Sequence, residues 1–350
     1  MKPIQVSVVE IMFRFAGTWF HRGARSTLLR YSFQFAERRE LFQQGVPSTY
    51  HGLCAVRCFS LQSWAQTLSQ STPVAYAQDL LDAVHSTSGL SWGTTIVVTS
   101  LALRVVVTLP LAVYQHHVLA RFANLDREMA GIVQELKRET TQAVRMFNLN
   151  EKQARYLYKK NFKRHLQRLV VRDNCHPLKA ALVVLFQLPL WVSLSVALRN
   201  MAFMMPYQDL AAQATYLELS VGGMLWFTNL TQPDPLHIVP ILVGITNLMN
   251  IEFHVLQRQK HMAWLRRWIT NFMRGLALVS VPVAWIMPAD VALYWLCSSG
   301  FALGQNMLMA APRFRRACSI PITASESQTP FRDVAVRLRQ RLDAAFRTSS

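Results

Sequence analysis

Four or five stretches of this chain are apolar for long enough to cross a lipid bilayer, and no other feature limits its fold so strongly. A bilayer core about 30 Å thick is spanned by about 20 helical residues rising about 1.5 Å each. The stretches cover about 92–114, 177–198, 236–251, 275–288 and 291–309. The fourth is short, and Pro288-Ala289-Asp290 separates it from the fifth. Pro and Asp interrupt helix and the linker is too short for a loop, so these two read as a tight helical hairpin. A soluble all-helical core is the alternative for so apolar a chain, and the charged loops between the stretches argue against it. The composition agrees: 51% of the 350 residues are hydrophobic and 16% charged, where soluble proteins carry about 25% charged residues. With 37 Lys+Arg against 19 Asp+Glu the net charge is +18. That balance excludes a disordered acidic protein and a collagen-like fibre. Cys54, Cys58, Cys175, Cys297 and Cys318 form neither an even disulfide framework nor a metal-binding spacing. The expected fold is an all-α integral membrane protein with a five-helix transmembrane bundle.

The first sixty residues hold eight Lys/Arg and three acids, interleaved with serines and aromatics, and no apolar run that approaches a span. An Arg-rich, acid-poor, amphipathic leader is the composition of a mitochondrial transit peptide. Arg57-Cys58-Phe59-Ser60 suits a matrix-peptidase cut after Phe59, so residues 1–59 are expected to be removed. Residues 60–90 read as a loop with one short amphipathic helix at most, in the intermembrane space.

Loop charge sets the orientation. Residues 115–175 contain thirteen Lys/Arg and six acids, whereas 200–235 contain three acids (Asp209, Glu218, Asp234) and no Lys or Arg. Arg258, Lys260, Arg266, Arg267 and Arg274 face Glu252 in the third loop, and eight arginines follow Ala311. By the positive-inside rule the first and third loops and the 311–350 tail lie in the matrix, and the second loop, with the tip at Asp290, lies outside. Within 115–175, Phe122, Leu125, Met129, Ile132 and Leu136 recur at helical steps, Asn148-Leu149-Asn150 supplies a turn, and Ala154, Leu157, Phe162, Leu166 and Leu169 resume the period. This predicts an antiparallel helical hairpin with a basic outer face, suited to a spacer or to a landing surface for an incoming chain or anionic headgroups.

Polar residues inside the spans are also periodic. Ser100, Arg104 and Thr108 lie four apart, as do Gln187, Trp191 and Ser195, and Thr246 with Asn250; Ser298 and Gln305 lie seven apart. Residues four apart share a helix face, so each span can turn a polar strip inward. Arg104 is the outlier. A central Arg costs about 2.5–3.5 kcal/mol on insertion scales and cannot shed its proton, and no span offers it an acid. Such a cation is tolerable where water reaches it, so the spans are expected to enclose a hydrated groove lined by Arg104, Ser100, Thr108, Gln187, Ser195, Asn250, Ser298 and Gln305. A half-channel with a positive floor would draw in acidic or polar polypeptide segments and let an apolar helix slip sideways into lipid. That task needs no catalytic residue, cofactor or metal.

Several motifs carry a resemblance. Ser91-Trp92-Gly93 through Leu103-Arg104 to Leu109-Pro110-Leu111 resembles the first core span of the YidC-type membrane insertases. Phe186-Gln187-Leu188-Pro189-Leu190-Trp191 resembles the second, and Trp226-Phe227 with Pro233-Asp234-Pro235 and Ile238-Val239-Pro240 the third-span entry. Pro288-Ala289-Asp290 to Leu293-Tyr294-Trp295 is similar to that family's hairpin, with Asp290 where a small residue is usual. The match runs over about 90–310. With the leader and tail it implies the mitochondrial branch that assists cytochrome c oxidase assembly. It also implies, as its task, export of the C-terminal tail of oxidase subunit II. Implied partners are hydrophobic client polypeptides, inner-membrane lipids and oxidase assembly factors, not nucleic acid. The tail from Phe331 to Phe346 is basic and weakly amphipathic, and shorter than the ribosome-binding tail of the sister insertase. A copper chaperone with a thioether site at Met201, Met204 and Met205 is the competing reading.

Overall fold

Every apolar run in the sequence is helical in the computed structural model, which describes residues 66–257, 264–324 and 326–348. All of them fall in the compact unit Ala65–Ser350. The transit-peptide reading of 1–59, together with Arg258 and Lys260 of the third loop, lies outside the described residues. Among the described residues there is no strand, only an isolated bridge between Met224 and Phe227.

Eleven helices carry the argument: α1 (Thr72–Ser88), α2 (Trp92–Leu103), α3 (Leu109–Phe147), α4 (Glu151–Arg172), α5 (Pro177–Ala202), α6 (Leu210–Val221), α7 (Ile238–Gln257), α8 (Trp264–Ile286), α9 (Ala289–Ala310), α10 (Pro312–Ala317) and α11 (Pro330–Thr348). A π-helical turn, Arg104–Thr108, joins α2 to α3, so the first span and the first hairpin arm form one run of 56 residues. The expected turn follows: Asn148 takes the left-handed conformation, and Asn150 opens α4 in a reciprocal capping box with Gln153. α9 is the hub, packed against α2, α5 and α7, while α8 packs on α7 and barely touches α9.

Among the described residues four helical runs are long and apolar enough to cross a membrane: Trp92–Phe147, Pro177–Ala202, Ile238–Gln257 and Trp264–Ile286. Two expectations change. The fourth span is not short, because the amphipathic stretch from Trp264 joins the apolar one in a single 23-residue helix. The 22-residue α9 falls outside the apolar set, since Asp290, Ser298, Ser299, Gln305 and Asn306 dilute it.

The segment expected to be mostly loop also differs. α1 is a 17-residue helix whose Val74, Ala77 and Leu81 are buried in the main core. That core gathers at one end of the bundle, where these residues meet Trp92, Ile96, Leu198, Met201, Leu219, Phe227, Leu230 and the start of α9. The Asn200 amide, fully buried, clasps this end by donating to the Ser69 carbonyl (3.0 Å) and accepting from the Ser69 hydroxyl (2.8 Å). Close approach of backbones completes the seal: Gly93 N–H donates to the Gly222 carbonyl (2.9 Å), and a Cβ on Gly222 would sit 2.9 Å from Cβ of Trp92.

Candidate functional site

The π turn places the central arginine, and Pro110 accounts for the turn. Proline has no N–H to give to the Val106 carbonyl and its ring crowds that oxygen, so the helix widens upstream instead of continuing as α. The Leu109 N–H reaches back five residues to the Arg104 carbonyl, which also accepts from the Thr108 hydroxyl (2.8 Å). Single π turns of this kind recur at functional sites.

Arg104 is half-buried and donates to the Ser298 hydroxyl on α9. Among the described residues it forms no ion pair with a carboxylate. It forms part of the wall of a cleft of about 190 Å³, lined by Ser100, Thr108, Gln187, Trp191 and Tyr294 with Leu103, Val184, Leu188, Leu190 and Leu194. Val184 and Leu188 are strongly exposed, so the cleft opens sideways between α2 and α5. Its other walls are apolar: Trp191 stacks on Trp295 with ring centroids 5.7 Å apart.

The structure therefore brings together four of the expected groove residues, Arg104, Ser100, Thr108 and Gln187, with Ser298 joined through the arginine. It does not bring in the other three. Ser195 donates to the Trp191 carbonyl (2.9 Å) and accepts from Trp295 Nε1 (2.9 Å), so its hydroxyl is spent between helices. Asn250 donates to the Ser299 carbonyl and accepts from Asn306, both at 3.0 Å, fastening α7 to α9. Gln305, also on α9, lies outside the cleft lining. Periodicity puts these side chains on inward faces, but only packing decides whether an inward face meets space or a neighbour. Tyr294, buried beside the arginine, was missed as a lining residue; its signal was its place in the Leu293-Tyr294-Trp295 motif.

The two ends of the bundle differ in charge and closure. At the acidic end Trp92 Nε1 donates to Glu218 (3.0 Å), and His85 stacks on Trp92 at 4.1 Å. Burial, with Asp79 and Glu218 close by, holds the Asp82 carboxyl above its ordinary range despite the opposing pull of His85. Asp290 is not an exposed tip. It is fully buried beneath the 222–237 loop, where its N–H donates to the Leu230 carbonyl (3.1 Å) and its carboxylate caps Val291 N–H (2.6 Å). Asp234, also buried, accepts from Trp226 Nε1 and from the Val239 N–H, both at 2.9 Å, and so starts α7. At the basic end α3 and α4 pack against each other as a hairpin. Arg172 ties its base, donating to Asp173 (2.8 Å) and to Glu128 (2.9 Å), and this holds Asp173 below the usual carboxylate range. Met201, the anchor of the competing thioether site, is buried in the core rather than offered to a ligand. No cluster of three His, Cys, Asp or Glu side chains suited to a metal occurs among the described residues.

The family model for the 60Kd inner membrane protein matches residues 83–316. The mitochondrial cytochrome c oxidase assembly protein COX18 of Homo sapiens is 41% identical over 271 residues, 77% of this chain and 80% of that protein. COX18 of Mus musculus is 40% identical over 281 residues, 80% of this chain and 84% of the relative. The mitochondrial inner membrane protein OXA1 of Arabidopsis thaliana is 26% identical over 249 residues, 71% of this chain and 52% of the relative.

Proposed function

This chain belongs to the 60Kd inner membrane protein family, that of the YidC-type membrane insertases, and on that premise we propose that it is a mitochondrial inner-membrane insertase acting in cytochrome c oxidase assembly. The observation that carries the reading is the cleft itself: a cation with no carboxylate partner among the described residues, in a wall that opens sideways through Leu188 and Val184.

In this reading residues 1–59 are a transit peptide, 60–90 face the intermembrane space, 91–310 form the insertase core, and the 311–350 tail is in the matrix. Five helices cross the membrane. α9 is admitted to the set despite its polar residues, because its neighbours α2, α5 and α7 cover them. The basic hairpin 115–175 and the tail mark the matrix side. A client enters from that side. Its acidic or polar flank is drawn to Arg104, while Ser298, accepting from the guanidinium, keeps the charge turned to the cleft. Ser100, Thr108 and Gln187 replace part of the water the flank gives up, so that the segment need not lose its whole hydration shell at once. The apolar part of the client then leaves past Leu188 into lipid. The work is partitioning, and no bond is made or broken. The expected client is the C-terminal tail of oxidase subunit II, with oxidase assembly factors and inner-membrane lipids as partners.

The test is a photoreactive amino acid at Gln187, set against one at Asn250, in mitochondria making their own proteins. Adducts with newly made subunit II at Gln187 but not at Asn250 are expected. Equal labelling at the two positions, or none at Gln187, would sink the cleft as the client's path.

A further inference from the structure

The last helix has a face that the insertase reading does not use. α11 packs on the last turns of α7. Arg337 donates to the Leu256 carbonyl (2.7 Å), one of the orphan acceptors that close a helix, and Arg341 reaches Glu252 (3.3 Å), which Arg274 also holds (2.6 Å). One flank of arginines thus ties α11 at the level where the apolar spans give way to Arg266, Arg267 and Arg274. Phe331 and Leu338 are each 47% exposed. With Val334 they recur at steps of three and four, a spacing that Leu342 and Ala345 continue in the sequence. On the far flank of that apolar stripe Arg332 and Arg339 are exposed, while Asp333, Gln340 and Asp343 belong to the opposite side of the register, which the apolar Val336 shares. The helix is therefore more strongly amphipathic than the sequence suggested, with its cations at the boundary between its apolar and polar faces.

We propose that α11 is an in-plane membrane anchor whose apolar stripe sinks into the bilayer boundary and whose arginines bind anionic phospholipid headgroups. Cations flanking an apolar stripe suit that surface, since the stripe enters the acyl boundary while the guanidinium groups stay level with the phosphates. The bundle holds one edge of α11 through Arg337 and Arg341, so part of the ordering that binding would cost is already made. This anchoring does not depend on the cleft carrying clients.

The full chain with p-benzoylphenylalanine at Leu338 would be reconstituted in phosphatidylcholine vesicles with or without cardiolipin, and also placed in mitochondria. The same probe at Leu278, on the exposed apolar face of α8, controls for the chemistry, and a probe at Gln340 marks the polar side. A phospholipid adduct is expected at Leu338, enriched by cardiolipin, and far less at Gln340. Replacing Arg332 and Arg339 together by Gln is expected to lower the Leu338 yield about 25-fold, about fivefold per arginine removed from an anionic surface. A protein or RNA adduct at Leu338 in mitochondria would overturn the proposal. So would a lipid adduct indifferent to cardiolipin and to the two arginines, or the absence of one while Leu278 reacts.

Discussion

The two ends of the bundle share the long helices α2, α5 and α9 and do opposite things. At the acidic end α1, α6, the 222–237 loop and the start of α9 close over Phe227, Leu198 and Leu219, and even the carboxylates of Asp234 and Asp290 are buried. Toward the basic end α2 and α5 part around Arg104 and leave a cleft. Packing at one end excludes water, whereas the other keeps room for it. The difference shows how one bundle can both seal and admit: hydrogen bonds such as Asn200–Ser69 are made where helices touch, and left unmade where they diverge.

The largest test of this contrast is packing. Phe227→Ala at the closed end should cost about 3–5 kcal/mol, whereas Leu188→Ala at the cleft mouth, 53% exposed, should cost about 0.5 kcal/mol or less. Thermal unfolding of the two purified variants in one detergent would check this, and equal losses would break the comparison. Next comes charge. If Arg104 offsets about half of the 2.5–3.5 kcal/mol needed to bring an acidic residue to mid-membrane, Arg104→Ala should slow insertion of an acidic-flanked client about tenfold. Arg104→Lys should keep most of the rate. Oxidase assembly as good as wild type in cells carrying only Arg104→Ala would remove the electrostatic role.

A smaller effect should come from Pro110→Ala, which lets the π turn relax to α and rotates Arg104 away from Ser298. The variant should be more stable by up to about 3 kcal/mol yet insert severalfold more slowly, a split that ordinary damage to the fold would not produce. The smallest effect is on pH response, and the ends should move in opposite senses. Asp82 is raised from 3.8 in the fold, so its ionised form costs stability near neutral pH, and that cost fades as pH falls through the raised value. Asp173 is lowered from 3.8, so its contribution to the hairpin base persists as pH falls to 3.8 and is lost below that, as pH passes through the lowered value. Hydrogen exchange corrected for intrinsic rate should show α1 tightening and the base of α4 loosening on acidification.

Much of this was legible beforehand because it rests on local signals. Asn148-Leu149-Asn150 turns the hairpin as read, since Asn tolerates the left-handed conformation and caps the next helix. Arg104 stood out because a charge in an apolar run has no local excuse. α1 was underestimated because its three core residues are spread over a polar, serine-rich stretch, and their burial depends on α5 and α2 beneath them. Trp264–Ile286 was cut short because the helix begins before the apolar stretch does: its first turns are amphipathic and are held by α7.

The sequence by itself determined that the long apolar segments are helical, where the basic hairpin turns, where the cations lie and which arginine has no acid in its own span. These are properties of composition and period along one strand of chain. Only the tertiary structure decided that Gln187 and Tyr294 share a cleft with Arg104 while Ser195 and Asn250 are consumed in helix contacts. Helical period gives the direction of a side chain; what it meets there depends on the distance to the next helix, which no single segment encodes.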